Sequence, residues 1–127
     1  MNMLIVDKLY FVGIGGIGMS ALARYFHAQG KKVGGYDKTE TVLTKSLVQE
    51  GIEIHYEDDN IPSWMLQAHH EKSLVVYTPA IPESNQELKY FKQNGFHVYK
   101  RAEVLGFVTQ DAYTIAVAGT LSLIHIS

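Results

Sequence analysis

The stretch Val12-Gly13-Ile14-Gly15-Gly16-Ile17-Gly18-Met19-Ser20 carries the strongest structural signal in this chain. It follows an apolar run and opens a segment whose apolar residues recur at helical spacing. Gly13, Gly15 and Gly18 spell G-x-G-x-x-G at this strand-to-helix turn, where a phosphate-binding loop is expected. We expect Gly13 to permit the tight turn, Gly15 to let a pyrophosphate approach, and Gly18 to let the helix pack on the strand. The first N–H groups of the helix would then face the anion, which predicts a diphosphate ligand.

Composition narrows the class of protein. The 127 residues fit one domain, and 46% apolar with 19% charged residues is ordinary for a globular fold. A net charge of −2 gives no reason to expect nucleic acid as a partner. The chain has no cysteine, no signal-peptide pattern, and no apolar run near the roughly 20 residues of a membrane span. We therefore expect a cytoplasmic protein without a membrane partner.

Apolar runs alternate with helical patterns along the chain, which favours βαβ units and a parallel sheet. A capping box is expected at Ser84-Asn85-Gln86-Glu87, and a solvated turn at Glu57-Asp58-Asp59. The predicted strands are Leu9–Ile14, Lys32–Tyr36, Ile52–His55, Leu74–Tyr77, His97–Lys100 and Thr114–Ala118. The predicted helices are Gly18–Gln29, Val42–Gln49, one starting at Pro62-Ser63-Trp64, one from the capping box to Asn94-Gly95, and Glu103–Val108.

Right-handed connections between these elements predict an α/β fold, a Rossmann-like open, mostly parallel sheet with helices on both faces. The ligand crevice of such a sheet lies at the carboxyl ends of the strands, at the topological switch point. Three clusters follow strand ends and would meet there: the glycine loop, Tyr36-Asp37-Lys38 and Thr78-Pro79-Ala80.

Several roles stay open at these positions. Asp37 lies about where a dinucleotide site has its ribose-binding acid, although Asp also ends strands. Lys38 would either contact a phosphate or a base of the ligand or be exposed to solvent. The loop from Thr78 to Pro82 is either a rigid wall against the ligand or an ordinary proline-fixed loop. No catalytic constellation is predicted, and the adjacent His69 and His70 do not predict a metal site.

The sequence resembles a known family. Gly13–Ser20 is similar to the N-terminal loop of the bacterial Mur ligases that add L-alanine to UDP-N-acetylmuramate. Four further segments resemble that family in the same order: Gly35-Tyr36-Asp37; Thr78-Pro79-Ala80-Ile81 with Asn85-Gln86-Glu87; Arg101-Ala102-Glu103-Val104-Leu105; and Ile115-Ala116-Val117-Ala118-Gly119-Thr120. The resemblance covers about Lys8 to Thr120.

The resemblance implies that residues 1–120 form the UDP-muramate-binding domain. The implied binding residues are Gly13, Gly15, Gly16, Ile17, Gly18, Met19, Ser20, Asp37, Lys38, Thr78, Pro79, Ala80 and Arg101. In the family, ATP with Mg²⁺ phosphorylates the muramoyl carboxylate, and the amine of L-alanine attacks the acyl phosphate to give a peptidoglycan precursor. That reaction also uses a central ATPase domain and a C-terminal domain.

The sequence departs from the family after Thr120. The family continues His-Gly-Lys-Thr-Thr, which cradles the ATP phosphates, whereas this chain continues Leu121-Ser122-Leu123-Ile124-His125-Ile126-Ser127. Gly119 and Thr120 would thus begin an interrupted ATP loop, and we expect residues 121–127 to be a non-native tail. We expect this fragment alone to bind no ATP or Mg²⁺ and to be inactive.

Three alternatives remain at this stage. The glycine loop and Asp37 alone also permit an NAD(P)-binding domain of an oxidoreductase. A stand-alone nucleotide-binding module is a second possibility. The related murein-peptide recycling ligase is a third, although Gly13–Ser20 favours the alanine-adding enzyme.

Overall fold

A five-stranded, all-parallel sheet organises the chain in the computed structural model, which describes residues 2–110. The strands are β1 (Lys8–Val12), β2 (Lys32–Tyr36), β3 (Glu53–His55), β4 (Ser73–Tyr77) and β5 (Val98–Lys100). Their spatial order is β3-β2-β1-β4-β5. Strands β2 and β3 are thus added on one side of β1, and β4 and β5 on the other, which places the topological switch point between β1 and β4. The predicted strand Thr114–Ala118 lies outside the described residues.

Helices cover both faces of the sheet. They are α1 (Ile17–Ala28), α2 (Val42–Gln49), α3 (Ser63–Leu66), α4 (Gln86–Gln93) and α5, which covers residues 101–110 of the described part. A short 3₁₀ turn, His70–Lys72, precedes β4. None of the helices within residues 2–110 has the length and apolar character needed to cross a membrane.

The central strand β1 feeds two hydrophobic cores. Leu9 and Phe11 pack in the core that contains Leu22 of α1, Leu47 of α2 and Val104 of α5. Tyr10 and Val12 belong to the other core, with Met65 of α3 and Phe91 of α4. All four β1 side chains are fully buried because successive strand residues point to opposite faces of a covered sheet. The predicted Rossmann-like fold with helices on both faces is confirmed.

The bounds of β2 and α2 match the predictions, but β1 is shorter than expected. It ends at Val12 rather than Ile14, because Gly13 has a φ of +95° and turns the chain out of the strand. The N–H groups of Gly13 and Ile14 both donate to the carbonyl of Tyr36, at 2.7 and 2.9 Å. These bonds fix the glycine loop over the end of β2.

The capping box predicted at Ser84–Glu87 does not form, because Asn85 rather than Ser84 caps the helix. Asn85 is the N-cap of α4, and its side chain accepts the N–H of Leu88 at 3.0 Å. The Glu87 carboxylate does not return to the cap backbone, because it is buried inside the protein in a hydrogen-bonded cluster. Helix α4 therefore starts one residue later than a Ser84 cap would place it.

Candidate functional site

A cleft of about 690 Å³ lies at the carboxyl edge of the sheet. It opens at the β1/β4 switch point, where open α/β sheets bind their ligands. Seven of the predicted binding residues line it: Gly13, Gly15, Gly16, Asp37, Lys38, Thr78 and Ala80. The structure therefore brings the three predicted clusters together around one cavity.

The glycine loop is held to the end of β2 by Asp37. Its Oδ2 accepts the N–H of Gly15 at 2.7 Å, and its Oδ1 accepts the N–H of Thr39 at 3.1 Å. A Cβ on Gly15 would lie 2.6 Å from Asp37 Oδ2. The Asp37 carboxylate thus makes the close approach that requires glycine at position 15. A pyrophosphate had been expected at that point.

The first turn of α1 offers unpaired backbone donors. Ser20 donates its N–H to Gly16, but the N–H groups of Ile17, Gly18 and Met19 have no acceptor among residues 2–110. The helix has no side-chain N-cap and no acidic residue in its first turn. Free N–H groups and the positive end of the helix dipole make this turn suitable for an anion.

Side chains in this turn do not face the cleft. Ile17 is 86% exposed at the helix start, while Met19 and Ser20 are buried. The Ser20 hydroxyl donates to the carbonyl of Ile17 at 2.9 Å. Ile17 and Met19 can therefore serve an anion through their backbone only, whereas the N–H and the hydroxyl of Ser20 both have partners within the protein.

Arg101, at the start of α5, lies against the first turn of α1. A Cβ on Gly18 would stand 2.9 Å from Arg101 Nη1, so the guanidinium lies directly against this glycine. The predicted packing of Gly18 on the strand is not what the structure shows. Arg101 takes part in none of the ion pairs among the described residues. A guanidinium beside the positive end of a helix repels it, and an anion between the two would relieve that repulsion.

The loop after β4 forms the opposite wall of the cleft. Thr78, Ala80, Ile81 and Pro82 line it, whereas Pro79 does not. A Cβ on Gly13 would stand 3.2 Å from Ile81 Cδ1, which shows how closely this wall approaches the glycine loop.

Six lining residues lie outside the predicted set of binding residues: Tyr36, Asp58, Ile81, Pro82, Ser84 and Asn85. Asp58 was expected in a solvated turn, yet its Oδ2 accepts the N–H of Gln86 at 3.1 Å and ties the β3–α3 connection to α4. Tyr36 was expected at this edge because it ends β2, but it was not assigned a role in binding.

A buried acid lies behind the cleft. Glu87 is 1% exposed, and its carboxylate accepts hydrogen bonds from the Tyr10 hydroxyl and from the N–H of Asn60. Nε2 of His55 lies 2.6 Å from Oε2 of Glu87 and 2.8 Å from the Tyr10 oxygen. Burial, and next the Glu87 carboxylate, raise the pKa of Tyr10 well above its ordinary value. This Tyr10–His55–Glu87 cluster joins β1, β3 and α4.

No group of three or more His, Cys, Asp or Glu residues in the described part is arranged to hold a metal ion. The predicted ATP-loop residues Gly119 and Thr120, and the predicted tail at 121–127, lie outside the described residues.

Comparisons with known proteins agree with this geometry. Residues 8–113 match the model of the Mur ligase family, catalytic domain. The chain is 52% identical over 120 residues to the UDP-N-acetylmuramate–L-alanine ligase of Flavobacterium johnsoniae, covering 94% of this chain and 26% of that protein. It is 56% identical over 115 residues to the ligase of the same name from Parabacteroides distasonis, covering 91% and 25%.

A solved structure shares the fold. The UDP-N-acetylmuramate–alanine ligase MurC of Thermotoga maritima superposes with a TM-score of 0.67 at 30% identity, covering 82% of this chain and 23% of that one. The chain spans about a quarter of the length of the curated relatives it matches. Since the family model covers most of the chain, this protein belongs to the Mur ligase family.

Proposed function

We propose that the cleft binds UDP-N-acetylmuramate, with the diphosphate on the first turn of α1. The observation that carries this proposal is the set of unpaired N–H groups at Ile17, Gly18 and Met19. Their helix turn directly follows Gly15 and Gly16, which line the cleft, and Arg101 stands beside Gly18, although neither this turn nor Arg101 lines the cleft itself. A diphosphate there would receive backbone hydrogen bonds and a guanidinium charge.

The names of the relatives support the choice of substrate. The ligases of Flavobacterium johnsoniae and Parabacteroides distasonis are named for UDP-N-acetylmuramate, and half or more of the aligned residues are identical. Membership of the Mur ligase family does not favour the NAD(P)-binding oxidoreductase that the glycine loop alone permitted. We further propose that the whole enzyme joins L-alanine to UDP-N-acetylmuramate, using ATP and Mg²⁺ at a site that involves Gly119 and Thr120.

Binding and turnover are separate questions for this chain. The residues that we assign to UDP-N-acetylmuramate lie within residues 13–101, whereas the proposed ATP loop lies beyond them. The proposal for the described residues is therefore a binding function: they hold the nucleotide end of the substrate.

Calorimetry with the purified chain tests this function. UDP-N-acetylmuramate and NADH are titrated in parallel under the same buffer and salt conditions. We expect saturable heat with the UDP sugar and none with NADH. Saturable heat with NADH alone would refute the proposed ligand.

A further inference from the structure

Tyr36 is a buried side chain of the cleft whose hydroxyl has no partner among residues 2–110. It is the last residue of β2, lines the cleft and is 7% exposed. Its hydroxyl makes no hydrogen bond with any side chain or backbone group in residues 2–110, whereas the hydroxyls of Tyr10 and Tyr56 are both bonded. Polar groups of buried side chains normally have a partner, and because Tyr36 lines the cleft, a bound ligand can supply the partner of this hydroxyl.

Several neighbouring polar groups already have partners within the protein. Both oxygens of Asp37 accept backbone N–H groups, Asp58 accepts from Gln86, and the Asn85 side chain caps α4. Asp37, the residue expected to meet a ribose, is thus used to hold the glycine loop. Tyr36 is the buried one among the polar side chains of the cleft that make no hydrogen bond within residues 2–110, which are those of Tyr36, Lys38, Thr78 and Ser84.

The carboxylates around Tyr36 determine which kind of ligand group its hydroxyl can bind. Burial, followed by the carboxylates of Asp58, Glu87 and Asp37, raises the pKa of Tyr36. The hydroxyl therefore stays protonated and can donate. The same carboxylates repel phosphate, so the diphosphate belongs at α1 and Arg101, and Tyr36 faces an uncharged part of the ligand.

The backbone places Tyr36 close to the glycine loop, and so close to the proposed position of the diphosphate. The carbonyl of Tyr36 accepts the N–H groups of Gly13 and Ile14, so this residue is bonded directly to the glycine loop. In Rossmann-like sites the end of the second strand faces the ribose of the nucleotide whose phosphates lie on that loop. We propose that the Tyr36 hydroxyl is a specificity-determining group that hydrogen-bonds a ribose hydroxyl of the bound nucleotide. This inference rests on the proposed function.

The test measures binding of UDP, 2′-deoxy-UDP and 3′-deoxy-UDP to the purified chain and to Tyr36→Phe. Phenylalanine keeps the ring, which lies 6.0 Å from that of His55, and removes only the hydroxyl. Tyr25→Phe is the matched control, because Tyr25 is 42% exposed and lies outside the cleft. Thermal unfolding of each variant shows that it is folded.

We expect Tyr36→Phe to weaken UDP binding by about 3- to 10-fold, the value of one neutral hydrogen bond, and Tyr25→Phe to leave it unchanged. One deoxy analogue should bind the unsubstituted chain more weakly than UDP, yet bind Tyr36→Phe as well as UDP does. Equal affinity of Tyr36→Phe and the unsubstituted chain for UDP would overturn the inference. So would a loss in Tyr36→Phe with both deoxy penalties undiminished, since the contact would then be to another part of the ligand.

Failure of the proposed function has a different signature. If the unsubstituted chain binds none of the three nucleotides, the UDP-binding cleft itself is refuted. If it binds UDP with the same affinity as both deoxy analogues, only the ribose contact is refuted. This last comparison needs no variant, so it decides the inference even if Tyr36→Phe does not fold.

Discussion

Oδ2 of Asp37 accepts the backbone N–H of Gly15 at 2.7 Å, and a methyl group on Gly15 would stand 2.6 Å from that same oxygen. The glycine loop and the end of β2 are therefore one hydrogen-bonded unit. The absence of a side chain at position 15 is required by this internal contact before any ligand is considered. The relationship leads directly to a prediction about the two adjacent glycines.

Gly15→Ala is expected to destabilise the fold by about 1–3 kcal/mol, because the new methyl group would displace Asp37 and Thr44. Gly16→Ala is the matched control for stability. Its Cβ would meet nothing closer than 3.8 Å, so a cost below about 1 kcal/mol is expected at this N-cap position. Chemical denaturation measures both. Equal stability of the two variants would contradict the Asp37–Gly15 relationship.

The second prediction concerns the buried Tyr10–His55–Glu87 cluster. Glu87→Gln puts an amide NH₂ where carboxylate oxygens now accept the Tyr10 hydroxyl and the N–H of Asn60. One of these donors then loses its acceptor, so a loss of about 1–3 kcal/mol in the free energy of unfolding is expected. Glu83→Gln makes the same chemical change at an exposed position and should have little effect. An unchanged midpoint for Glu87→Gln would refute the structural role of the cluster.

Alkaline pH provides a third prediction. The pKa of Tyr10 is raised by burial and by Glu87, so the folded state holds its proton more tightly than the unfolded state does. The corresponding stability is complete below the ordinary value of 10.0 and is lost as the pH rises above it. Tyrosinate absorbance should therefore show Tyr10 ionising only together with unfolding. Tyr10→Phe should reduce the absorbance change that accompanies unfolding and leave unaltered the change that other tyrosines give at lower pH. A loss of the change at lower pH, with the unfolding change unaltered, would contradict the prediction.

Arg101 provides a fourth prediction. Arg101→Gln should weaken UDP-N-acetylmuramate binding by about 10- to 100-fold, because a charge-assisted hydrogen bond to the diphosphate is lost. The remaining affinity should depend less on salt concentration than that of the unsubstituted chain. Lys89→Gln removes the same charge from an exposed position on α4 and is the control. Calorimetry at two salt concentrations decides; affinity and salt dependence equal to those of the control would exclude a contact of Arg101 with the ligand.

Local sequence signals predicted much of the fold. The bounds of β2 and α2 were predicted because both segments show clear apolar patterns and are followed by turn residues, Asp37 after β2 and Gly51 after α2. The cap at Ser84 was predicted wrongly, since Ser84 and Asn85 are both good N-caps and sequence spacing favoured the serine. What decided between them was the burial of Glu87 with Tyr10 and His55, residues far from it in sequence.

The site was predicted where residues follow strand ends, and missed where contacts cross the fold. The glycine loop, Asp37 and Thr78 follow strands β1, β2 and β4, so the sheet edge alone brought them together. Asp58 lies in an acidic turn whose composition suggested only solvent. Its bond to Gln86 depends on the packing of α4 beside β3, which no local pattern records.

The most direct test of UDP-N-acetylmuramate binding is the amide spectrum of the isotopically labelled chain during titration with this ligand. If the diphosphate lies on the first turn of α1, the resonances of Ile17, Gly18 and Met19, whose N–H groups are unpaired within residues 2–110, shift the most and saturate together. NADH should produce no comparable shifts. Saturable shifts with the UDP sugar that leave these amides unmoved, or shifts of these amides with NADH alone, would contradict the proposal.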